Sequence, residues 1–237
     1  MNALILLAAG TGSRMKDSVP DKLLADLNGK AVLLHSLEAF INSDAFDRYL
    51  VVYRDLEQKS KLQALIESLS FDSATIAYVQ GGASRQASVY NALSSINEAI
   101  DLIAIHDGAR PLVKKSFILR LLEEAQKYGS AVASTPVNDT IKSLEPASGD
   151  SSLLNIRSLD RSKLKATQTP QVFQYETINK AYLKVHHDQV TVTDEVEALS
   201  HYGQQAHLTD NPDPNPKITT KSDLNYILYL LNKNPMP

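Results

Sequence analysis

Three short stretches of this chain combine small residues with cations or a carboxylate at spacings suited to phosphate chemistry. The first is Leu4-Ile5-Leu6-Leu7-Ala8-Ala9-Gly10-Thr11-Gly12-Ser13-Arg14-Met15, with Pro20-Asp21-Lys22 soon after it. An apolar run stops at small residues there, so the backbone can approach a ligand closely. Successive N–H groups in such a loop form an anion-binding concavity. Arg14 and Lys22 add donors that match phosphate oxygens. The pattern is neither GxxxxGK[ST] nor GxGxxG, which excludes a Walker loop and the dinucleotide fingerprint. An ordinary glycine turn with solvated charges stands beside the phosphate-loop reading.

The second stretch, Gln80-Gly81-Gly82-Ala83-Ser84-Arg85-Gln86-Ala87-Ser88, ends a β-prone run and opens a helical pattern. Free N–H groups at a helix start suit an anion or a base edge, and a glycine turn capped near Ala83 or Ser84 is the plainer reading. The third, Ala104-Ile105-His106-Asp107-Gly108-Ala109-Arg110-Pro111, delivers a carboxylate from the end of an apolar run. Asp107 there suits Mg²⁺, which takes one or two carboxylates plus substrate phosphates. Arg110 is placed to hold a phosphate or to orient Asp107. The plainer reading is an Asp–Arg pair fixing a turn above a packed His106.

Stepping outward, the apolar runs Leu4–Ala8, Tyr49–Tyr53, Thr75–Val79, Leu102–Ile105 and Ala131–Thr135 predict strands. Helical periodicity lies between them, at Val32–Phe40, Leu62–Leu69, Val89–Ile96 and Ile118–Ala125. Strands alternating with helices predict an α/β fold, a mostly parallel twisted sheet with helices on both faces. Ligands in such sheets sit beyond the carboxyl ends of the strands, so the three polar stretches are expected on one rim. Residues 138–168 lose this rhythm and predict an extended arm with a hairpin near Pro146–Ser152. An arm of this kind needs a surface to lie on, which suggests a second subunit. Helices are expected again at Tyr175–His187, Asp194–Tyr202 and Leu224–Leu231, with short strands at Gln205–Thr209 and near Ile218. Thr193 reads as an N-cap, and Lys217 as either a site cation or an exposed strand lysine.

The totals set bounds on all this. The 237 residues carry 24 basic and 27 acidic side chains, so no general basic field for nucleic acid is expected. Without cysteine there are no disulfides and no thiolate metal sites. No apolar stretch reaches the length of a membrane span, and the first one lacks the basic flank of a signal peptide. One cytoplasmic domain spanning 1–237 fits this composition.

Taken in order, Leu7–Met15, Gly81–Ser88, His106–Pro111, Pro136–Lys142, Asp160-Arg161 with Gln168–Phe173, Thr193–Glu195 and Asn215–Thr219 resemble one family over nearly the whole chain. This is the 2-C-methyl-D-erythritol 4-phosphate cytidylyltransferase family of the non-mevalonate isoprenoid pathway. The resemblance implies a Rossmann-like nucleotidyltransferase fold and a homodimer built through the arm. It also implies attack of a methylerythritol phosphate on the α-phosphorus of CTP with loss of pyrophosphate, assisted by Mg²⁺ or another divalent cation. By the same resemblance Ala8, Ala9, Gly10, Gly82 and Ser88, with Gly12 in the same loop, surround CTP. Arg14 and the following lysine stabilise the pentavalent phosphorus. Asp107 meets the metal or the substrate hydroxyls. Thr140, Arg161, Thr169 and Lys217 hold the methylerythritol phosphate together with Arg110, and the arm donates Arg161 across the dimer.

Two positions depart from the family's pattern. Where members read Pro-Lys-Gln, this chain reads Pro20-Asp21-Lys22, so an ungapped match puts Asp21 at the lysine position. Lys22 is the expected replacement, with Lys16 as a second candidate. Pro216 precedes Lys217 where an aliphatic residue is common. The competing readings are a ribitol-5-phosphate cytidylyltransferase and a CTP-binding protein whose catalysis is impaired.

Overall fold

The chain rises from short, strongly apolar strands that the helices cover on both sides. The computed structural model describes residues 1–10, 21–69, 75–146 and 154–233. Strand β1 (Asn2–Leu7) leads through the small hairpin β2 (Asp26–Leu27) and β3 (Lys30–Ala31) into α1 (Val32–Ile41). Then come β4 (Arg48–Tyr53), α2 (Leu56–Glu67), β5 (Ile76–Gln80), α3 (Arg85–Ser94), β6 (Leu102–Asp107), α4 (Lys115–Tyr128) and β7 (Ser130–Pro136). The arm is the antiparallel pair β8 (Lys142–Pro146) and β9 (Leu154–Ser158), followed by a 3₁₀ turn at Arg161–Lys163. The chain returns through β10 (Lys165–Gln174), α5 (Tyr175–His187), α6 (Glu195–His201), β11 (Leu208–Asp210) and α7 (Lys221–Lys233).

Seven strands form one sheet in the order β11-β7-β10-β6-β1-β4-β5, and β10 alone runs antiparallel to its neighbours. The central strands are apolar on both faces because both are covered. Leu4 and Leu6 of β1 pack with residues from α1, α2, α4 and α7. Ala3 and Ile5 of the same strand pack on the other side with α3, α5 and α6. On α4, Phe117, Ile118, Leu121, Leu122 and Ala125 make the buried stripe, and Gly129 ends the helix at φ +83°. That left-handed conformation costs a glycine no Cβ clash.

The structure refines the sequence expectations locally, and the strand expected at Gln205–Thr209 is the shorter Leu208–Asp210. Ile218 lies in no strand; its N–H donates to the Ala109 carbonyl at 2.9 Å, a single bond that fastens the segment without a ladder. Helix α3 ends before Ile96, short of the expected periodicity, while its start agrees: of the two cap candidates it is Ser84, whose hydroxyl accepts from the Ala87 N–H. Asp194, not Thr193, caps α6, because its carboxylate accepts the Glu197 N–H while Glu197 reaches back to Thr193. The expected hairpin turn near Pro146–Ser152 falls largely outside the described residues, although its flanking strands are present.

Candidate active site

The register of the parallel strands decides which side chains meet. Leu7 at the end of β1 pairs with Val52 of β4 on one side and with Asp107 of β6 on the other. The Ala8 N–H donates to the Val52 carbonyl at 2.9 Å, and the Gly108 N–H donates to the Leu7 carbonyl at 3.0 Å. The Gly81 N–H reaches the Tyr53 carbonyl at 2.7 Å. The three loops therefore emerge side by side along one rim. Gly81 shows why small residues are needed there: a Cβ would lie 2.6 Å from the Ala9 Cβ and 2.9 Å from the Ser88 hydroxyl. Ser88 itself is buried, donating to the Ser84 carbonyl and accepting from the Gly82 N–H.

Asp107 is the centre of charge. Its carboxylate is nearly buried and has Lys217 Nζ at 2.6 Å, Arg85 Nε at 3.5 Å and Arg110 Nε at 3.8 Å. Burial alone would push its pKa up, but the Lys217 ammonium, then Arg85 and Arg110, hold it well below the usual carboxylate range. Its backbone N–H donates to the Thr169 hydroxyl at 3.0 Å, so Thr169 supports Asp107 from the antiparallel strand β10. Thr169 lies where the β10–β7 register shifts, between Thr167 and Gln171.

Arg85 ties this centre to a second carboxylate. Its guanidinium forks onto Glu195 at 2.7 and 3.0 Å, and Glu195 is wholly buried while also accepting from the Tyr182 hydroxyl. Burial would weaken the guanidinium's charge, but Glu195 and then Asp107 hold its pKa far above the ordinary value. Arg110 faces Asp107 and also donates to the Asn215 carbonyl at 2.6 Å, which fixes the segment that carries Lys217. Its pKa is lowered by burial despite Asp107. His106 is fully buried under the turn, its Nε2 against the Arg110 carbonyl at 3.1 Å and its ring on Phe40. Burial brings its pKa down to about 4.

The remaining expected residues divide clearly. Lys22 Nζ donates to the Ile218 carbonyl at 2.8 Å, the residue after Lys217. Thr140 and Arg161 are exposed at the base of the arm, where Arg161 donates to the Asn138 carbonyl rather than to the Asp107 cluster. Gly12, Arg14 and Lys16 lie outside the described residues. Glu195 and Gln58, by contrast, emerge only from the folded chain. Arg85 and Glu195 stand in motifs that the sequence displays, but no local spacing links positions 110 residues apart.

A mostly parallel sheet with cations gathered around a carboxylate at its strand ends is an arrangement suited to binding phosphates. The family profile described as "IspD: 2-C-methyl-D-erythritol 4-phosphate cytidylyltransferase" matches residues 2–233, and the chain belongs to this family. It is 35% identical over 234 residues to the 2-C-methyl-D-erythritol 4-phosphate cytidylyltransferase of Clostridium acetobutylicum, covering 99% of both chains. Among solved structures, the Francisella tularensis 2-C-methyl-D-erythritol 4-phosphate cytidylyltransferase is 28% identical with a TM-score of 0.77, covering 96% of this chain and 98% of that one. The 4-diphosphocytidyl-2C-methyl-D-erythritol synthase of Anaerococcus prevotii superposes with a TM-score of 0.83 over 98% of each chain. At 22% identity it speaks to the fold alone.

Proposed function

We propose that the rim around Asp107 is where this cytidylyltransferase brings CTP and 2-C-methyl-D-erythritol 4-phosphate together. The observation that supports it best is the Asp107 cluster, in which Arg85, Arg110 and Lys217 face two carboxylates and leave one surplus positive charge. The nucleophile is an anionic phosphate, so the reaction needs no base. Its obstacle is the approach of two polyanions and the charge that builds on the transferred phosphorus. Cations fixed in advance meet both needs.

In this reading Ala8, Ala9, Gly10, Gly12, Gly82 and Ser88 receive the cytidine and its triphosphate. Arg14 and Lys22 stabilise the phosphorus under attack and the departing pyrophosphate. Lys217, Arg110, Thr169, Thr140 and Arg161 receive the alditol phosphate. Among the described residues no group of three or more His, Asp or Glu forms a metal cage. A lone Asp107 still fits Mg²⁺, because that ion keeps water and phosphate oxygens as its other ligands. Asp107 would hold it, and it would neutralise triphosphate charge.

The same reading includes a homodimer formed through the arm. Leu144 and Ile156 face each other across the β8–β9 pair and both are largely exposed. Arg161, at the arm's base, would then serve the partner's site. It also takes residues 1–237 as one domain working in the cytoplasm, with the arm at about 138–168. Among the described residues no helix is long and apolar enough to cross a membrane.

Pyrophosphate release from CTP, followed by a coupled assay with each alditol phosphate, tests the acceptor. Turnover with 2-C-methyl-D-erythritol 4-phosphate is expected, and turnover with ribitol 5-phosphate alone would overturn it. The impaired-enzyme alternative drew on Asp21 standing at the lysine position. Lys22 at the Lys217 segment weakens that motive.

A further inference from the structure

One buried amide binds both Ala8 and Asp21. Gln58, on the first turn of α2, is 1% exposed. Its Nε2 donates to the Ala8 carbonyl at 3.1 Å and to Asp21 Oδ2 at 2.7 Å. Its Oε1 accepts the Arg54 N–H at 2.7 Å, so both donors and the acceptor of the carboxamide are engaged and its orientation is fixed. Asp55 holds the helix start in turn by accepting the Gln58 N–H. The Ala8 backbone and the Asp21 side chain are thereby held to one group.

Asp21 is turned inward by these contacts. Its Oδ1 accepts the Leu23 N–H at 3.0 Å, an Asx turn, and Arg54 Nη1 stands 3.5 Å from Oδ2. Leu23 is also buried, and its carbonyl accepts the Leu33 N–H at 3.0 Å. Lys22 thus sits between two anchored, inward-facing residues. Its own side chain reaches the Ile218 carbonyl, next to Lys217.

We propose that Asp21, clamped by Gln58, is a positioning residue that directs Lys22 into the phosphate site. The carboxylate stands where the family pattern has its lysine, yet it works from inside the fold, and the next residue carries the charge. The inference rests on the reading that Lys22 serves the phosphate chemistry. A carboxylate suits this place better than an amide. It can accept from the Leu23 N–H, the Gln58 amide and Arg54 together, whereas an asparagine keeps the turn but must offer one neighbour a donor.

The test is a double-mutant cycle on kcat, with Asp21→Ala and Asp21→Asn each made in the native and Lys22→Ala backgrounds, and folding checked by thermal unfolding. Asp21→Ala should lower kcat tenfold or more while the KM for CTP moves less than threefold, and Asp21→Asn should recover much of the loss. In the Lys22→Ala background either change should alter kcat less than twofold, because the group being positioned is gone. Equal losses in both backgrounds, or a native kcat in Asp21→Ala, would overturn the proposal while leaving Lys22 in its role. If Asp21→Ala fails to fold, the same comparison with Asp21→Ser, which keeps a short acceptor for the Leu23 N–H and loses the reach to Gln58, decides the matter. A Lys22→Ala variant within twofold of native turnover would remove both the Lys22 assignment and the positioning role built on it.

Discussion

Replacing Arg85 by methionine should unfold this enzyme several degrees earlier, and the reason lies in Glu195. That carboxylate is fully buried, and Arg85 meets it with two hydrogen bonds at 2.7 and 3.0 Å. Removing one partner of a buried pair costs about 3–5 kcal/mol, because the other charge is left in a poorly solvating interior. The Arg85 side chain is 29% exposed, so water screens part of the interaction and the lower end, about 3 kcal/mol, is expected. For a chain of this size that is a fall in Tm of roughly 6–12 °C. Urea unfolding would give the free energy directly, with an unchanged m-value marking a pure stability effect. A second variant isolates the cause. Arg85→Met with Glu195→Gln removes the stranded charge while keeping an acceptor for the Tyr182 hydroxyl, and it should recover more than half of the lost stability. Turnover should stay low in the double variant, since Asp107 has still lost the guanidinium 3.5 Å away. A loss below about 1 kcal/mol in Arg85→Met, or no recovery on neutralising Glu195, would refute the account of a charge stranded by burial.

Three further outcomes are expected. Arg14→Ala should lower kcat far more than it weakens CTP binding measured by titration calorimetry; equal losses would make Arg14 a binding residue only. His106 has its pKa lowered from 6.5 to about 4, so the unfolded chain binds the extra proton first, and stability is full above pH 6.5 and falls as pH drops toward 4. The loss should be about 3 kcal/mol, read by urea unfolding across that window, and a His106→Gln variant should flatten that part of the slope. Leu144→Asp with Ile156→Asp should shift sedimentation from dimer to monomer, whereas a native protein that sediments as a monomer would refute the dimer reading.

The rim around Asp107 was partly legible because its residues follow apolar runs, and such runs are local. Asp107 could be placed at a strand end from Leu102–Ile105 alone, and β6 does end on it. The stretch around Ile218 misled because one β-branched residue beside Lys217 reads as a strand. In the fold its N–H goes to Ala109 alone, with Pro214 and Pro216 on either side of Asn215 unable to donate. The family resemblance implies that Thr169 is a substrate ligand, and in the structure its hydroxyl accepts the Asp107 amide N–H. That bond depends on β10 returning antiparallel beside β6, which no periodicity announces.

By itself the sequence determined the alternation of strands and helices, the covered character of the sheet and the three loops with their small residues and charges. These depend on neighbours within a few positions, where burial leaves its period in the chain. Tertiary structure decided which charges meet. Arg85 finds Glu195, Lys217 finds Asp107, and Gln58 joins Ala8 to Asp21 because parallel crossovers bring distant strand ends together. It also decided that Asp21 is held by Gln58 while Lys22 reaches the Ile218 carbonyl. Nothing local to two adjacent polar residues ranks them, and only the packing around them fixes which one the core keeps.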